Sequence, residues 1–343
     1  MLWNVAAPFF TGVMADQRWL DDFVGSPAYR FRKIPFARSA ASWHQRASRG
    51  TTLGGWRTYW DTAGEALRDA DGVITIFPQL AVMAGVRRLF GRKVPIVAWC
   101  FNLGEFPGGP RRLASRIALA GVSRFIVHST AEIPLLARYL GIDESRVRFV
   151  PLQRAPIPVS EAEDNDAPFI VAMGSANRDY ATLIEAARAT GLPVTIVASP
   201  RSVAGLDIPA NVTLLSGLDI AECRALAQRA RFSIVPIADV AAASGQVTVL
   251  EAMRMRRAVI ATRSIGTVDY VEDGETGRLV AGGDAAVLGQ AMRDLWEDAA
   301  LRDRLATAGA RFAEERLSDE AAGRALREIL DEIAAARLFP ASN

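Results

Sequence analysis

Apolar and polar residues alternate along the 343-residue chain in two signatures. Short apolar runs predict strands buried on both faces, and the stretches between them, with apolar positions three and four apart, predict amphipathic helices. In the first half the strands fall at Leu2 to Ala7, Gly72 to Phe77, Val94 to Phe101 and Phe125 to His128. In the second half they fall at Phe169 to Met173, Pro193 to Ala198, Val212 to Leu214, Phe232 to Val235, Ala258 to Ala261 and Gly277 to Val280. Strands alternating with helices predict an α/β architecture of parallel sheets covered on both faces. The segment Pro151 to Pro168, PLQRAPIPVSEAEDNDAP, follows neither period and is rich in proline and acid, so it reads as a linker between two domains. Ala321 to Leu338 reads as a closing amphipathic helix, and no short internal repeat is visible.

Composition narrows this picture. Half of the residues (50%) are hydrophobic, yet no apolar run is long enough to span a bilayer, which predicts two soluble domains. The opening MLWNVAAPFF has no basic region or cleavage signal, so no signal peptide is expected and the expected place is the cytoplasm. Cys100 and Cys223 are the two cysteines and lie in apolar segments, as suits a reducing compartment; with only His44 and His128 besides, no metal site is expected.

The net charge of +2 hides a polarity between the halves. Residues 1–158 carry 21 Lys and Arg against 11 Asp and Glu, and the remainder 19 against 27. Two basic clusters adjoin apolar stretches: Arg87, Arg88, Arg92 and Lys93 beside LAVMAGVRRLF, and Arg111, Arg112 and Arg116 leading into LASRIALAGVSRF. Basic charge interleaved with apolar residues at helical spacing suits an anionic membrane surface, here the inner face of the cell membrane. The alternative is an ordinary amphipathic helix with a solvated arginine face. Nucleic acid is not expected as a partner, because no aromatic-interleaved basic patch or reading motif is present.

The richest stretch runs from Ala243 to Val280, ASGQVTVLEAMRMRRAVIATRSIGTVDYVEDGETGRLV. Ser244 reads as a helix N-cap before Gly245, and Val247 to Met255 as a helix ending in Arg254, Arg256 and Arg257. Free amides and the positive end of the helix dipole near Gly245 make a site for a phosphate. At about 100° per residue, Ser244, Thr248 and Glu251 share one face. The Glu251 carboxylate could then accept two hydroxyl hydrogen bonds, as a ribose offers, or be only a solvated charge.

SGQVTVLEAM, then AVIAT, then the segment through DYVEDGETGRLV resembles the donor-site signature of the family 4 glycosyltransferases (glycosyl transferases group 1). FIVAMGSANRDYATLIEAA (Phe169 to Ala187) and NVTLLSGLDIAECRALAQRARFSIVP (Asn211 to Pro236) are similar to the same family's C-terminal domain, as is LRDRLATAGARFAEERLS. The likeness covers nearly all of residues 147 to 320 in the family's order; in the first half it is limited mainly to FIVHSTAEIPLLARYLGI, Phe125 to Ile142.

The resemblance implies a GT-B fold: two Rossmann-like, doubly wound parallel-sheet domains facing across a cleft. Residues 1–155 would form the N-terminal acceptor-side domain, 156–320 the nucleotide-sugar donor domain, and 321–343 a helix crossing back to the first domain. It also implies donor-binding roles for Gly174, Ser175, Arg178, Gly217, Leu218, Ser244, Gly245, Gln246, Val247, Thr248 and Glu251. Arg178 would reach the donor diphosphate, or else pair locally with Asp179; Gly217 and Leu218 would read the base. The family usually has two glutamates eight residues apart. Here Glu251 fills the second place and Ala243 the first, which puts the usual sugar-side contact in doubt and leaves the sugar to Gly245, Gln246 and Val247. Many members also carry a histidine after the strand corresponding to IVAWCF, where this chain has Phe101 or Asn102.

The candidate catalytic residues are therefore His128, whose type of side chain suits proton transfer, and Asn102 and Glu105 in the loop FNLGEFPGG. Thr11 and Gly12 match the family's N-domain glycine loop only weakly. The implied reaction moves a sugar from a nucleotide sugar, a UDP-sugar favoured, to a hydroxyl of a glycan or lipid-linked acceptor. It proceeds with retention and needs neither metal nor cofactor. A nucleotide-sugar epimerase or hydrolase of the same fold, or a non-catalytic nucleotide-sugar binding protein, is the alternative. Dinucleotide, P-loop and nucleophile-elbow signatures are absent from the sequence.

Overall fold

Each predicted strand takes its place in one of two parallel sheets. The computed structural model describes residues 1–10, 18–36, 53–104 and 106–338, and the chain divides into two units, Met1–Val150 with Ala322–Asn343, and Pro151–Ala321.

In the first unit β1 (Leu2–Ala6), β2 (Arg30–Ile34), β3 (Gly72–Ile76), β4 (Ile96–Trp99), β5 (Arg124–Val127) and β6 (Val147–Phe149) form a sheet in the order β2-β1-β3-β4-β5-β6. All five residues of β3 are buried, as a central strand covered on both faces requires. The pattern missed β2 and β6. β2, RFRKI, is an edge strand with Arg30 and Arg32 exposed, and β6 has only three residues, so neither carries a long apolar run. The helices are α1 (Leu53–Ala66), α2 (Pro78–Phe90), α3 (Gly109–Leu119) and α4 (Glu132–Leu140).

In the second unit β7 (Ile170–Met173), β8 (Val194–Val197), β9 (Val212–Leu215), β10 (Phe232–Val235), β11 (Ala258–Thr262) and β12 (Arg278–Val280) form a sheet in the order β12-β11-β10-β7-β8-β9. From β7 the chain moves outward through β8 and β9, then returns to the other side of β7 as β10 and moves outward again. The order reverses between β7 and β10, a doubly wound topology with its switch point there. The helices are α5 (Tyr180–Thr190), α6 (Ile220–Arg229), α7 (Gln246–Arg254), α8 (Ala285–Glu297) and α9 (Ala299–Arg316). Aspartates at 179, 219, 284 and 298 cap α5, α6, α8 and α9 through their carboxylates, each worth about 1 kcal/mol.

The expected linker, residues 151–168, belongs to the second unit and is pinned to it. Ile157 is buried among Val171, Ala227, Ala230 and Met255, and the Gln228 side chain accepts from the amides of Ser160 and Glu161 while donating to the Pro158 carbonyl. Glu163 and Asp164 pair with Arg231 and Arg229. A strap held by one buried side chain, one glutamine and two ion pairs has no period for a pattern to reveal. The last helix, α10 (Asp319–Leu338), buries Leu326, Ile329, Leu330 and Ile333 in the first unit's core with Trp3, Trp99 and Ile126.

Candidate functional site

Open parallel sheets bind ligands beyond the carboxyl ends of their strands at the switch point, which in the second unit means the segments after β7 and β10. Those segments are joined to each other. After β7, Gly174 has φ +114 and Asn177 the left-handed φ of 53°. Asn177 donates through Nδ2 to the Ser244 hydroxyl (2.7 Å) and the Asp239 carbonyl (3.0 Å), and its Oδ1 accepts from the Asp239 amide (2.8 Å). Asn177 was not among the expected site residues; its one signal in the sequence is an asparagine in a post-strand turn.

Arg178 is half-buried and forms three kinds of contact. Its Nε donates to the Met173 carbonyl (3.1 Å), Nη1 to the Ala176 carbonyl (2.8 Å) and Nη2 to the Thr248 hydroxyl (2.9 Å) in the first turn of α7. The local pairing with Asp179 does not form, because that carboxylate caps α5 through the Thr182 amide (3.0 Å) and hydroxyl (2.6 Å). Burial lowers the Arg178 pKa, yet no carboxylate pairs with it among the described residues. A desolvated cation held by neutral acceptors lacks a counter-charge, and an anion would supply one. At Gly174 an added Cβ would lie 2.8 Å from Nη2 of this guanidinium.

The expected cap is corrected at α7. Ser244 does not cap the helix: its hydroxyl is taken up by Asn177 and by the Ala242 carbonyl (3.3 Å). Gly245 is the N-cap residue, at φ 91, with no side chain bonded to the first turn. An added Cβ there would meet Ile237 Cδ1 at 2.9 Å and Val235 Cγ1 at 3.1 Å, so both conformation and space demand glycine. The opening amides of the helix are consequently uncapped by side chains, with Thr248 and Arg178 beside them. Gln246 is buried and Val247 half-buried.

Glu251 lies one turn further along α7, its side chain 26% exposed, with Oε1 3.6 Å from Arg154 and 3.5 Å from Arg224. It is held between two cations rather than loose in solvent. A ligand hydroxyl there would meet a carboxylate already oriented. Ser175 is exposed, its hydroxyl accepting from the Ser199 amide (2.8 Å), so the loops after β7 and β8 are tied together. Gly217, at φ +76, is exposed and Leu218 half-covered in the loop between β9 and α6. Of the basic run, Arg254 donates to the Arg154 carbonyl (3.0 Å) and Arg257 to the Gln228 carbonyl (2.7 Å), so both serve packing at the C-terminal end of α7.

In the first unit the strand-end side chains bond to groups of that unit. His128 is buried; Nδ1 lies 2.7 Å from the Val150 carbonyl and Nε2 3.1 Å from Cys100 Sγ. A carbonyl can only accept, so Nδ1 carries the proton and Nε2 accepts from the thiol. Burial pushes the His128 pKa down to about 4. The ring is neutral at pH 7, unlike the titrating side chain its residue type suggested. Asn102 Oδ1 accepts from the Gly104 amide (2.6 Å), closing its own turn. Glu105, Thr11 and Gly12 lie outside the described residues.

The basic helices also differ from a solvated face. On α3, Arg112 donates to the Tyr139 (2.9 Å) and Arg138 (2.7 Å) carbonyls and Arg116 to that of Leu140 (2.8 Å), satisfying the C-terminal carbonyls of α4. On α2, Arg87 donates to the Trp60 carbonyl and stacks over its ring, and Arg88 donates to the Val94 carbonyl. Large apolar side chains are exposed beside them: Leu89, Phe90 (86%), Phe106, Leu113 and Ile117. No described helix is long and apolar enough to cross a membrane, and no described cluster of three or more His, Cys, Asp or Glu could hold a metal ion.

Residues 169–298 match the family model of Glycosyl transferases group 1. That span lies inside the second unit and contains each of the eleven expected donor-side positions from Gly174 to Glu251. No curated protein matches the sequence. Among solved structures the chain is similar to sucrose-phosphate synthase from Thermosynechococcus elongatus, at 17% identity and a TM-score of 0.70, covering 98% of this chain and 100% of that one. It is similar to Anabaena HepE in complex with UDP and glucose, at 15% identity and a TM-score of 0.68, covering 97% and 100%. The apo form of the lipopolysaccharide outer core galactosyltransferase WaaB matches at 13% identity and a TM-score of 0.65, covering 97% and 99%. Shared by all three over nearly their whole length, the two-sheet architecture is the GT-B fold, and residues 169–298 of its second unit match the glycosyl transferases group 1 model, in keeping with a glycosyltransferase.

Proposed function

We propose that the protein transfers a sugar from a nucleotide sugar, with UDP as the favoured nucleotide, to a hydroxyl of a glycan or lipid-linked acceptor, with retention and without a metal. The observation that carries this reading is the Arg178 guanidinium. It is fixed on Thr248 at the uncapped start of α7, at the sheet's switch point, with no described carboxylate to neutralise it. A diphosphate there receives the amides of Gln246 and Val247 and the forked cation. Glu251, further along the same helix, accepts from the ribose hydroxyls, and the backbone at Gly217 and Leu218 reads the base. HepE, solved with UDP and glucose, supports the choice of nucleotide.

The chemistry follows from charge. As the bond from the anomeric carbon to the diphosphate oxygen breaks, negative charge grows on the leaving group, and preorganised amides and Arg178 stabilise it. The acceptor oxygen bonds to the anomeric carbon on the face the diphosphate leaves, and its proton passes to the departing phosphate. His128, neutral and engaged at both nitrogens, is given no part in proton transfer. The lipid-linked class of acceptor is supported by the exposed Leu89, Phe90, Leu113 and Ile117 beside Arg92, Lys93 and Arg111, which suit an anionic membrane surface. The test is release of UDP from UDP-glucose, UDP-galactose and UDP-N-acetylglucosamine, with and without a pool of glycan and lipid-linked acceptors. Release that requires acceptor supports transfer; release without acceptor points to hydrolysis; binding of UDP with no turnover points to a binding protein.

A further inference from the structure

A second concentration of cations lies in the first unit, on the edge of the sheet opposite the strand ends. A cavity of about 470 Å³ opens where the chain enters β4 and β5, and is lined by Arg88, Lys93, Arg124, Arg146 and Arg337, with no acidic residue among the described residues of its wall. Asn102 and His128 follow the other ends of those same strands, so this cavity is not the strand-end region considered above.

The arginines are anchored on one side each. Arg88 donates to the Val94 carbonyl (2.9 Å), Arg124 through Nη1 to that of Ser123 (3.0 Å), Arg146 to those of Ala120 (2.9 Å) and Val122, and Arg337 to that of Asp71 (3.0 Å). Carbonyls orient a guanidinium without neutralising it. The acid at hand is Glu332, shared between Arg124 (3.4 Å) and Arg148 (2.9 Å). Nε of Arg124 is buried with no acceptor among the described residues. Burial first, then the charges of Arg124 and Arg88, lower the Arg146 pKa, which marks cations repelling one another in a partly desolvated place. Such a set costs folding energy unless an anion joins it.

We infer that this cavity binds a phosphate-bearing ligand, its phosphoryl oxygens received by the guanidiniums of Arg88, Arg124, Arg146 and Arg337 and by Lys93. Forked donors held at fixed angles suit phosphate, and the space admits a diphosphate or a phosphorylated headgroup. The site is separate from the nucleotide site and does not depend on that reading.

The test is calorimetric titration with inorganic pyrophosphate at fixed ionic strength, carried out in an Arg178→Met background so that the second unit contributes less. Lys93→Gln with Arg337→Gln removes two exposed cations of the cavity; Arg57→Gln with Arg311→Gln removes two exposed cations elsewhere. The expected result is a loss of about tenfold or more in affinity for the cavity pair alone, with amide-exchange protection by pyrophosphate over residues 120–124 in the parent protein. A parallel arm measures sedimentation with phosphatidylcholine vesicles with and without phosphatidylglycerol. Loss of vesicle binding in the cavity pair alone, with no pyrophosphate binding, also supports the site and makes the phosphate a lipid's. Equal loss in both pairs, or loss in neither, overturns it. UDP affinity, read separately, reports on the nucleotide site, so the failure of one is not mistaken for failure of the other.

Discussion

The two sheets share a parallel architecture but use the polar residues after their strands in opposite ways. In the second unit, Asn177 and Arg178 after β7 reach across to Ser244 and Thr248 beyond β10, and the cation so placed has no counter-charge among the described residues. In the first unit, His128 and Asn102 close onto Val150, Cys100 and Gly104. One region holds a charge in readiness; the other has satisfied its polar groups locally. The difference is why the proposed anion-binding half of the reaction is assigned to the second unit, the described strand ends of the first having little unspent chemistry.

The comparison can be broken most forcefully at Gly245. Gly245→Val forces a branched side chain into φ 91 against Ile237 and Val235, and should destabilise the second unit by about 3 kcal/mol, read as a lowered midpoint in urea. Next in size, Arg178→Met should weaken UDP binding by about 2 kcal/mol, measured by calorimetry, with the fold retained. If affinity is unchanged, the cation is only a structural tie between β7 and α7.

The first unit is probed by pH. An unfolded histidine titrates near 6.5 and folded His128 near 4, so between those values the unfolded state binds more protons and stability falls as pH falls. The slope should approach about 1.4 kcal/mol per pH unit in that window and flatten in His128→Gln, measured by urea unfolding from pH 7 to 4. An unaltered slope would mean the ring charges freely in the folded state.

Smaller effects sharpen the picture. Glu251→Ala should weaken UDP binding by about 1 kcal/mol while leaving binding of pyrophosphate at the second unit unchanged, since it loses only the ribose contact. Smallest of all, Phe90→Ser should lower binding to anionic vesicles by less than about 1 kcal/mol; if the wild type never sediments with them, the membrane surface is excluded.

The strands were legible because parallel sheets bury both faces and leave continuous apolar runs; the short edges β2 and β6 have no such runs and were missed. The helix that begins the proposed donor site was legible as a pattern, but its cap was not. Ser244 has the right side chain for a cap, and the sequence gives no sign that Asn177, 67 residues away, takes its hydroxyl. Arg178 stood out as a cation after a strand; that it would avoid Asp179 follows from the capping of α5 by that aspartate. The arginines of α3 read as a membrane-facing or a solvated stripe, yet Arg112 and Arg116 close the end of α4, a tertiary contact that helical spacing does not encode.

The central claim, that a nucleotide diphosphate sits at the switch point of the second unit, is tested most directly by hydrogen exchange on the intact protein with and without saturating UDP. The account predicts slowed exchange at the amides of residues 174–178 and 245–248 together. Slowed exchange confined to other segments, or no change with UDP, would contradict it.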